Sequence, residues 1–133
     1  MGLPAAKQGD QVVAVDIHIV MVPAPPGPPT PTPLPHPFAG KLNGGLSSDV
    51  KIMGKPAAVV GSTADNSPAH QPTTPGTGFQ KPPSNKATIQ LGSATVKING
   101  KAAARTGDKA MTCNDPSDLP SGTVVATGSV MIG

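Results

Sequence analysis

The chain has no tryptophan, no tyrosine and two phenylalanines. That excludes a core of ordinary aromatic bulk, so any interior must be built from small aliphatic side chains. The same shortage removes the stacking platforms on which single-stranded nucleic acid rests. One cysteine excludes an intrachain disulfide. No stretch approaches the ~20 consecutive apolar residues of a membrane-spanning helix. The first apolar run, Val12 to Val22, carries Asp16 and His18 and lacks a cleavage pattern, so no signal peptide is evident. The chain is expected to be made in the cytosol and not to leave by the general secretory route. Charge is sparse: the ten Lys and Arg stand singly, and the pI near 9.3 reads as a mildly basic surface, with nucleic acid excluded as a partner. No segment carries the period of an amphipathic helix.

Proline and glycine are abundant. Eighteen prolines and sixteen glycines put the composition where disorder competes with folding. A net charge of only +3 and the grouping of apolar residues into strand-like runs favour a fold. At 133 residues this is one domain. Its thin core calls for a staple, which must be a metal, a partner or both.

One phrase recurs three times. It reads Val50-Lys51-Ile52-Met53-Gly54-Lys55-Pro56-Ala57-Ala58-Val59-Val60-Gly61-Ser62 and again Val96-Lys97-Ile98-Asn99-Gly100-Lys101-Ala102-Ala103-Ala104-Arg105-Thr106-Gly107-Asp108, with 8 of 13 positions identical. The third copy is split: Val130-Met131-Ile132-Gly133 ends the sequence, and Gly2-Leu3-Pro4-Ala5-Ala6-Lys7-Gln8-Gly9-Asp10 begins it. Val-x-Ile is a period-2 strand signal, the glycine after it a turn, and the small residues beyond let backbones crowd near an axis. The spacing predicts three hairpins around a pseudo-threefold axis with the N- and C-termini adjacent.

Between the copies, residues 11–22 form the longest strand candidate, with Val13, Val15, Ile17 and Ile19 on one face and Asp16 and His18 on the other. Residues 23–37 hold nine prolines. That density predicts an extended, polyproline-like crossover and no ladder strand. Residues 63–86 read as a second proline-rich loop. Further strands are expected at 87–91, 94–98, 123–126 and 129–132, with a turn at 111–116. The class is all-β.

The repeat register places soft or borderline metal ligands in phase. His18 lies nine residues after Gly9, His70 nine after Gly61, and Cys113 six after Gly107. Around a threefold axis these side chains converge. His36, the remaining histidine, is the fourth candidate, with water as its alternative. Three imidazoles and a thiolate suit tetrahedral zinc over iron, in a closed, structural centre. Metal affinity would then add to folding free energy. The enzymatic alternative, a cysteine-dependent hydrolase, needs a base and an oxyanion hole around Cys113. No catalytic signature surrounds it, so the chain is expected not to be an enzyme. A stand-alone soluble zinc-binding adaptor is the other alternative.

The segments Pro4-Ala5-Ala6-Lys7-Gln8-Gly9-Asp10, Pro56-Ala57-Ala58-Val59-Val60-Gly61-Ser62 and Ala102-Ala103-Ala104-Arg105-Thr106-Gly107-Asp108 resemble the PAAR-repeat family. Lys7 and Val59 stand in place of the arginine in two copies, and Ala102 in place of the proline in the third. The resemblance implies a small cone of β-hairpins that caps the trimeric spike of a contractile injection system: type VI secretion, an extracellular phage-tail-like particle, or a phage. It implies structural Zn2+ near the apex, held by His18, His36, His70 and Cys113. It also implies one tip monomer on a trimeric β-helical spike protein, accompanying effectors, transient contact with a target membrane, and export only when the machine fires. Residues 1–133 are expected to be a single domain without a fused effector.

Overall fold

The computed structural model describes residues 2–133. All regular structure among them is β: β1 (Leu3–Pro4), β2 (Gln11–Val22), β3 (Thr30–Gly44), β4 (Lys51–Ile52), β5 (Lys55–Pro56), β6 (Thr63–Asn66), β7 (Gly78–Phe79), β8 (Lys86–Ile89), β9 (Lys97–Ile98), β10 (Lys101–Ala102), β11 (Lys109–Thr112), β12 (Leu119–Val125) and β13 (Met131–Ile132).

The three copies of the phrase form three equivalent hairpins. β4 pairs with β5 and β9 with β10, each across a two-residue turn whose residues both have positive φ: Met53-Gly54 at +52° and +81°, Asn99-Gly100 at +51° and +80°. These are the φ signs of a type I′ turn, whose twist suits a hairpin. In the third hairpin β13 pairs with β1, Ile132 opposite Leu3, so the two ends of the sequence meet where the other copies turn. The return arms then close a ring. Ala58 N–H donates to Ala6 C=O, Ala6 N–H to Ala104 C=O, and Ala104 N–H to Ala58 C=O, at 2.9–3.0 Å. All three alanines are fully buried. A larger side chain would hold the backbones apart, which is why the sequence keeps alanine at this position in every copy. Beneath the ring Ile52, Ile98 and Ile132 pack with Ala5, Ala57, Val59 and Ala103 in one small cluster.

A second turn follows each ring alanine. Gly9, Gly61 and Gly107 have φ of +90°, +98° and +87°. The next side chain caps the turn from behind: Lys7 N–H donates to Asp10 Oδ2, Val59 N–H to Ser62 Oγ, and Arg105 N–H to Asp108 Oδ2, at 2.7–3.0 Å. Either an Asp or a Ser can accept this bond, which accounts for the variation between copies.

From the ring the chain enters a closed barrel of six antiparallel strands in the order β2-β3-β6-β8-β11-β12, with β12 returning to β2. Closure leaves no unpaired edge at that level. Val12, Phe38, Leu42, Ile89 and Val124 fill it with a lining of alanines, and Phe38 is the only large ring in this core among the described residues. Beyond the barrel β2 and β3 continue as a long hairpin that gains only the short β7, opposite Val20 and Met21. The structure narrows from six strands to three along β2.

Two expectations about the proline-rich segments are corrected. Residues 30–44 form the longest strand, paired with β2 from Val22↔Thr30 to Gln11↔Lys41, not a crossover without a ladder. The reason is phase. Pro31, Pro33, Pro35 and Pro37 alternate, and a residue's N–H and C=O alternate between the two sides of a strand. The odd residues face away from β2: Ala39 N–H donates to Asn66 Oδ1, Ala39 C=O accepts from Ser67 N–H, and Pro35 C=O accepts from Thr73 Oγ1. Every missing proline donor thus lies on the outer edge, where it costs no ladder bond. Residues 63–86, read as a loop, contain β6 within the barrel wall and β7 at its extension.

Candidate metal centre

β2 presents its polar residues inward. Asp16 and His18 are buried, whereas Val15 and Ile17 between and beside them are exposed. The usual rule for a half-buried strand is reversed because the interior at this level is a polar cluster. His36 joins from β3, where it sits opposite Asp16. His70 arrives on the segment after β6, and Cys113 directly follows β11. All five side chains are buried.

One ligand atom from each of Asp16, His18, His70 and Cys113 lies within 4.8 Å of the others. The structure thus brings together three of the four residues expected from the sequence and adds Asp16. His36 is beside them, its ring 5.4 Å from that of His18 and 5.6 Å from that of His70. Its nitrogens, however, are engaged elsewhere: Nδ1 with Leu34 C=O at 2.9 Å, and Nε2 with Thr73 N–H at 3.2 Å. Asp16 carried a legible signal. It stands two residues before His18 on a strand, hence on the same face.

The hydrogen-bond network fixes several orientations. Ala39 N–H can only donate, so Asn66 Oδ1 accepts from it and Asn66 Nδ2 faces His70 Nδ1 at 3.2 Å. In neutral His70 the proton is therefore on Nε2, which donates to Asp16 Oδ2 at 2.9 Å. Thr112 Oγ1 donates to Asp16 Oδ1 at 2.6 Å, and the Cys113 thiol lies 3.5 Å from Asp16 Oδ2. Asn114 and Asp115 hold β2 from its other side by accepting from Ile17 and Ile19 N–H.

His18 has no such support. Both its ring nitrogens are buried without a hydrogen-bond partner. Asp115 Oδ2 lies 3.5 Å from Nδ1. An unsatisfied buried nitrogen costs about 1–3 kcal/mol, and a bound cation at its lone pair would offset that. Burial pushes the affinities of His18 and His36 for protons down, and pushes the Cys113 thiol up, with Asp16 adding to the rise. The two imidazoles are thereby kept neutral, the form that ligates a metal. Cys113 keeps its proton until a cation displaces it. The donor set of imidazole nitrogen, thiolate sulfur and carboxylate oxygen fits zinc. A zinc ion held by His18, His70 and Cys113 would cross-link β2, the segment after β6 and the end of β11.

The closed barrel, the threefold ring of hairpins and the buried His/Cys/Asp cluster define a small all-β protein organised around an internal repeat. The PAAR motif family matches residues 35–116, more than half of the chain. The chain belongs to that family. No curated protein and no solved structure matches it.

Proposed function

We propose that this chain is the metal-stabilised tip of a contractile injection system, seated as one monomer on a trimeric β-helical spike. The observation that carries the reading is the ring of three alanine hydrogen bonds, which gives one unequal chain a threefold backbone at one end. The hairpins around that ring are only two strands wide and keep unpaired outer edges. Leu3, Val50, Met53, Val130 and Met131 are exposed there. Open edges with apolar neighbours suit the end of a β-helix that adds one strand to each.

The cluster lies away from that end. His18 is eight residues along the chain from Asp10 at the ring, a rise of about 27 Å in strand geometry. There the protein has narrowed and a hydrophobic core has given way to polar side chains. A structural zinc at His18, His70 and Cys113, with a fourth group from His36 or Asp16 beside them, supplies the missing stability. An enzymatic role is disfavoured by the chemistry of Cys113. A nucleophilic thiolate needs an electropositive, accessible setting, and this thiol is buried against a carboxylate that raises its pKa. No helix among the described residues is long and apolar enough to cross a membrane. Effectors and a target envelope enter with the assembled machine.

The test is co-assembly. The chain mixed with a trimeric spike protein from a contractile machine should elute as one copy per trimer, and electron microscopy should place it at the spike's end. A chain that stays monomeric beside such spikes at micromolar concentration refutes the tip reading and leaves the soluble zinc-binding adaptor.

A further inference from the structure

We infer that the outer face of the β2–β3 hairpin is a docking surface for an amphipathic helix of another protein, one that carries aromatic side chains in its apolar stripe.

The odd-numbered residues of β2 and β3 share that face. From Val13↔Ala39 to Met21↔Pro31 it carries five successive cross-strand pairs, and no side chain in them is polar. Every β3 member is an exposed proline or alanine. On β2, Val15 is 60 % exposed and Ile17 37 %. Ile17 N–H donates away from β3 and Ala39 N–H away from β2. The odd pairs are therefore the non-hydrogen-bonded ones, whose side chains stand ~4.5–5.5 Å apart and make one surface. The rest of the barrel wall is different: Asp65, Lys86, Thr88 and Lys109 point outward and are exposed. An uncharged, contiguous apolar face on a soluble chain marks an interaction site.

Shape and chemistry select the occupant. Both edges of the hairpin are shut to an added strand. Along β3 the prolines leave no N–H on the free edge. Along β2, Asn114 and Asp115 accept from Ile17 and Ile19 N–H, and Gln80 N–H donates to Ile19 C=O. A partner must therefore lie on the face. Val13 to Met21 spans about 27 Å in strand geometry, the length of a helix of about 18 residues, and two strands are about as wide as the ~10 Å diameter of a helix. Lys41, paired with Gln11, closes the face at the ring end. Its charge complements the C-terminus of a helix and so orients it. The exposed proline rings suit aromatic side chains, as Pro-rich segments suit aromatic-lined grooves. A second copy of this chain has no ring to offer: Trp and Tyr are absent, Phe38 is buried, and Phe79 packs on His18 and His36. A face of about 270 Å² is also small beside the ~800 Å² per partner of a standard stable interface, and suits a reversible contact. A lipid surface is disfavoured, because the face lacks the Trp, Tyr and multiple basic residues that hold interfacial elements in a membrane.

The probe is a lactam-bridged peptide helix of about 18 residues, with Leu and Phe along one stripe and polar residues elsewhere; the control has the same composition with the stripe scrambled. Methyl NMR of the full chain reads the binding. The striped peptide should shift the Val15 and Ile17 resonances and the scrambled one should not. A spin label at the peptide's C-terminus should broaden resonances around Lys41 more than those of Met21. Val15→Lys and Pro33→Lys, at exposed positions on the two strands, should each weaken binding at least about 10-fold, as loss of an interface anchor does, while Thr88→Lys on the opposite wall leaves it unchanged. Pro33→Lys decides if Val15→Lys does not fold. No shift at about 1 mM striped peptide, equal binding by the scrambled peptide, or wild-type affinity in both face variants overturns the proposal. A dimer in sedimentation that Val15→Lys dissolves would overturn it in favour of a second copy. Flotation with phosphatidylcholine vesicles that Val15→Lys abolishes would overturn it in favour of lipid.

Discussion

The alternation of proline along β3 predicts that two neighbouring substitutions will have opposite outcomes. Pro35 directs its backbone away from β2, and Leu34, opposite His18, directs its N–H toward it. In Pro35→Leu the new N–H appears on the outer edge, next to solvent, and no ladder bond changes. The cost is the extra freedom of the unfolded chain, about 0.4–1 kcal/mol. In Leu34→Pro a donor to β2 is deleted beside the buried His18, and the orphaned carbonyl costs about 1–3 kcal/mol before any clash of the ring. For a chain of this size 1 kcal/mol moves the melting temperature by roughly 3–6 °C, so the midpoints of the two costs, about 1.3 kcal/mol apart, put Leu34→Pro roughly 4–8 °C below Pro35→Leu. With no Trp or Tyr to report by fluorescence, the assay is far-ultraviolet circular dichroism during thermal and urea unfolding, at fixed zinc. Equal destabilisation by both substitutions would refute the phase argument, as would a more severe effect from Pro35→Leu.

Replacing a ring alanine should act on both stability and assembly: Ala58→Leu adds three carbons where the backbone is closed on itself, and is expected to cost about 1–3 kcal/mol in urea unfolding. Cys113→Ser should abolish the difference in melting temperature between zinc-loaded and chelated protein, which in the wild type reflects about 2.7 kcal/mol of stabilisation when free zinc is 100-fold above its dissociation constant. In metal-free protein the contribution of His18 and His36 to stability should be fully present well above pH 6.5 and be lost as the pH is lowered through and below that value. His18 and His36 are both held below the 6.5 of the unfolded chain, so the unfolded state takes up protons first; melts from pH 7.5 to 5 measure this, and rising stability on acidification would contradict it.

Much of the fold was legible because the repeat is strict where geometry is strict. Alanine at 6, 58 and 104 and glycine at 9, 61 and 107 recur because the ring admits no Cβ larger than alanine's and the turn demands positive φ. Pairing of β1 with β13 follows from the split third copy. The proline-rich strand was misread because proline was counted by density, when the deciding quantity is which side of the strand each nitrogen faces. At the centre, convergence of His18, His70 and Cys113 followed from register with the repeat. Asp16 was visible as His18's neighbour on one strand face. The surroundings of His36 were legible only in part: its contact with Leu34 C=O is local, whereas Thr73 N–H reaches its Nε2 from a segment far away in sequence.

The ring of alanines also has a statistical consequence. Its backbone repeats every third of a turn, while the side chains beside it, Lys7, Val59 and Arg105, differ. A threefold partner such as the proposed spike would present three identical seats, so one chain could dock in three orientations that are the same complex. That multiplicity favours binding by RT ln 3, about 0.65 kcal/mol. It also means that reconstructions averaged over the partner's symmetry superimpose a lysine, a valine and an arginine at one site, and that only particles aligned without imposed symmetry would show which copy faces which seat.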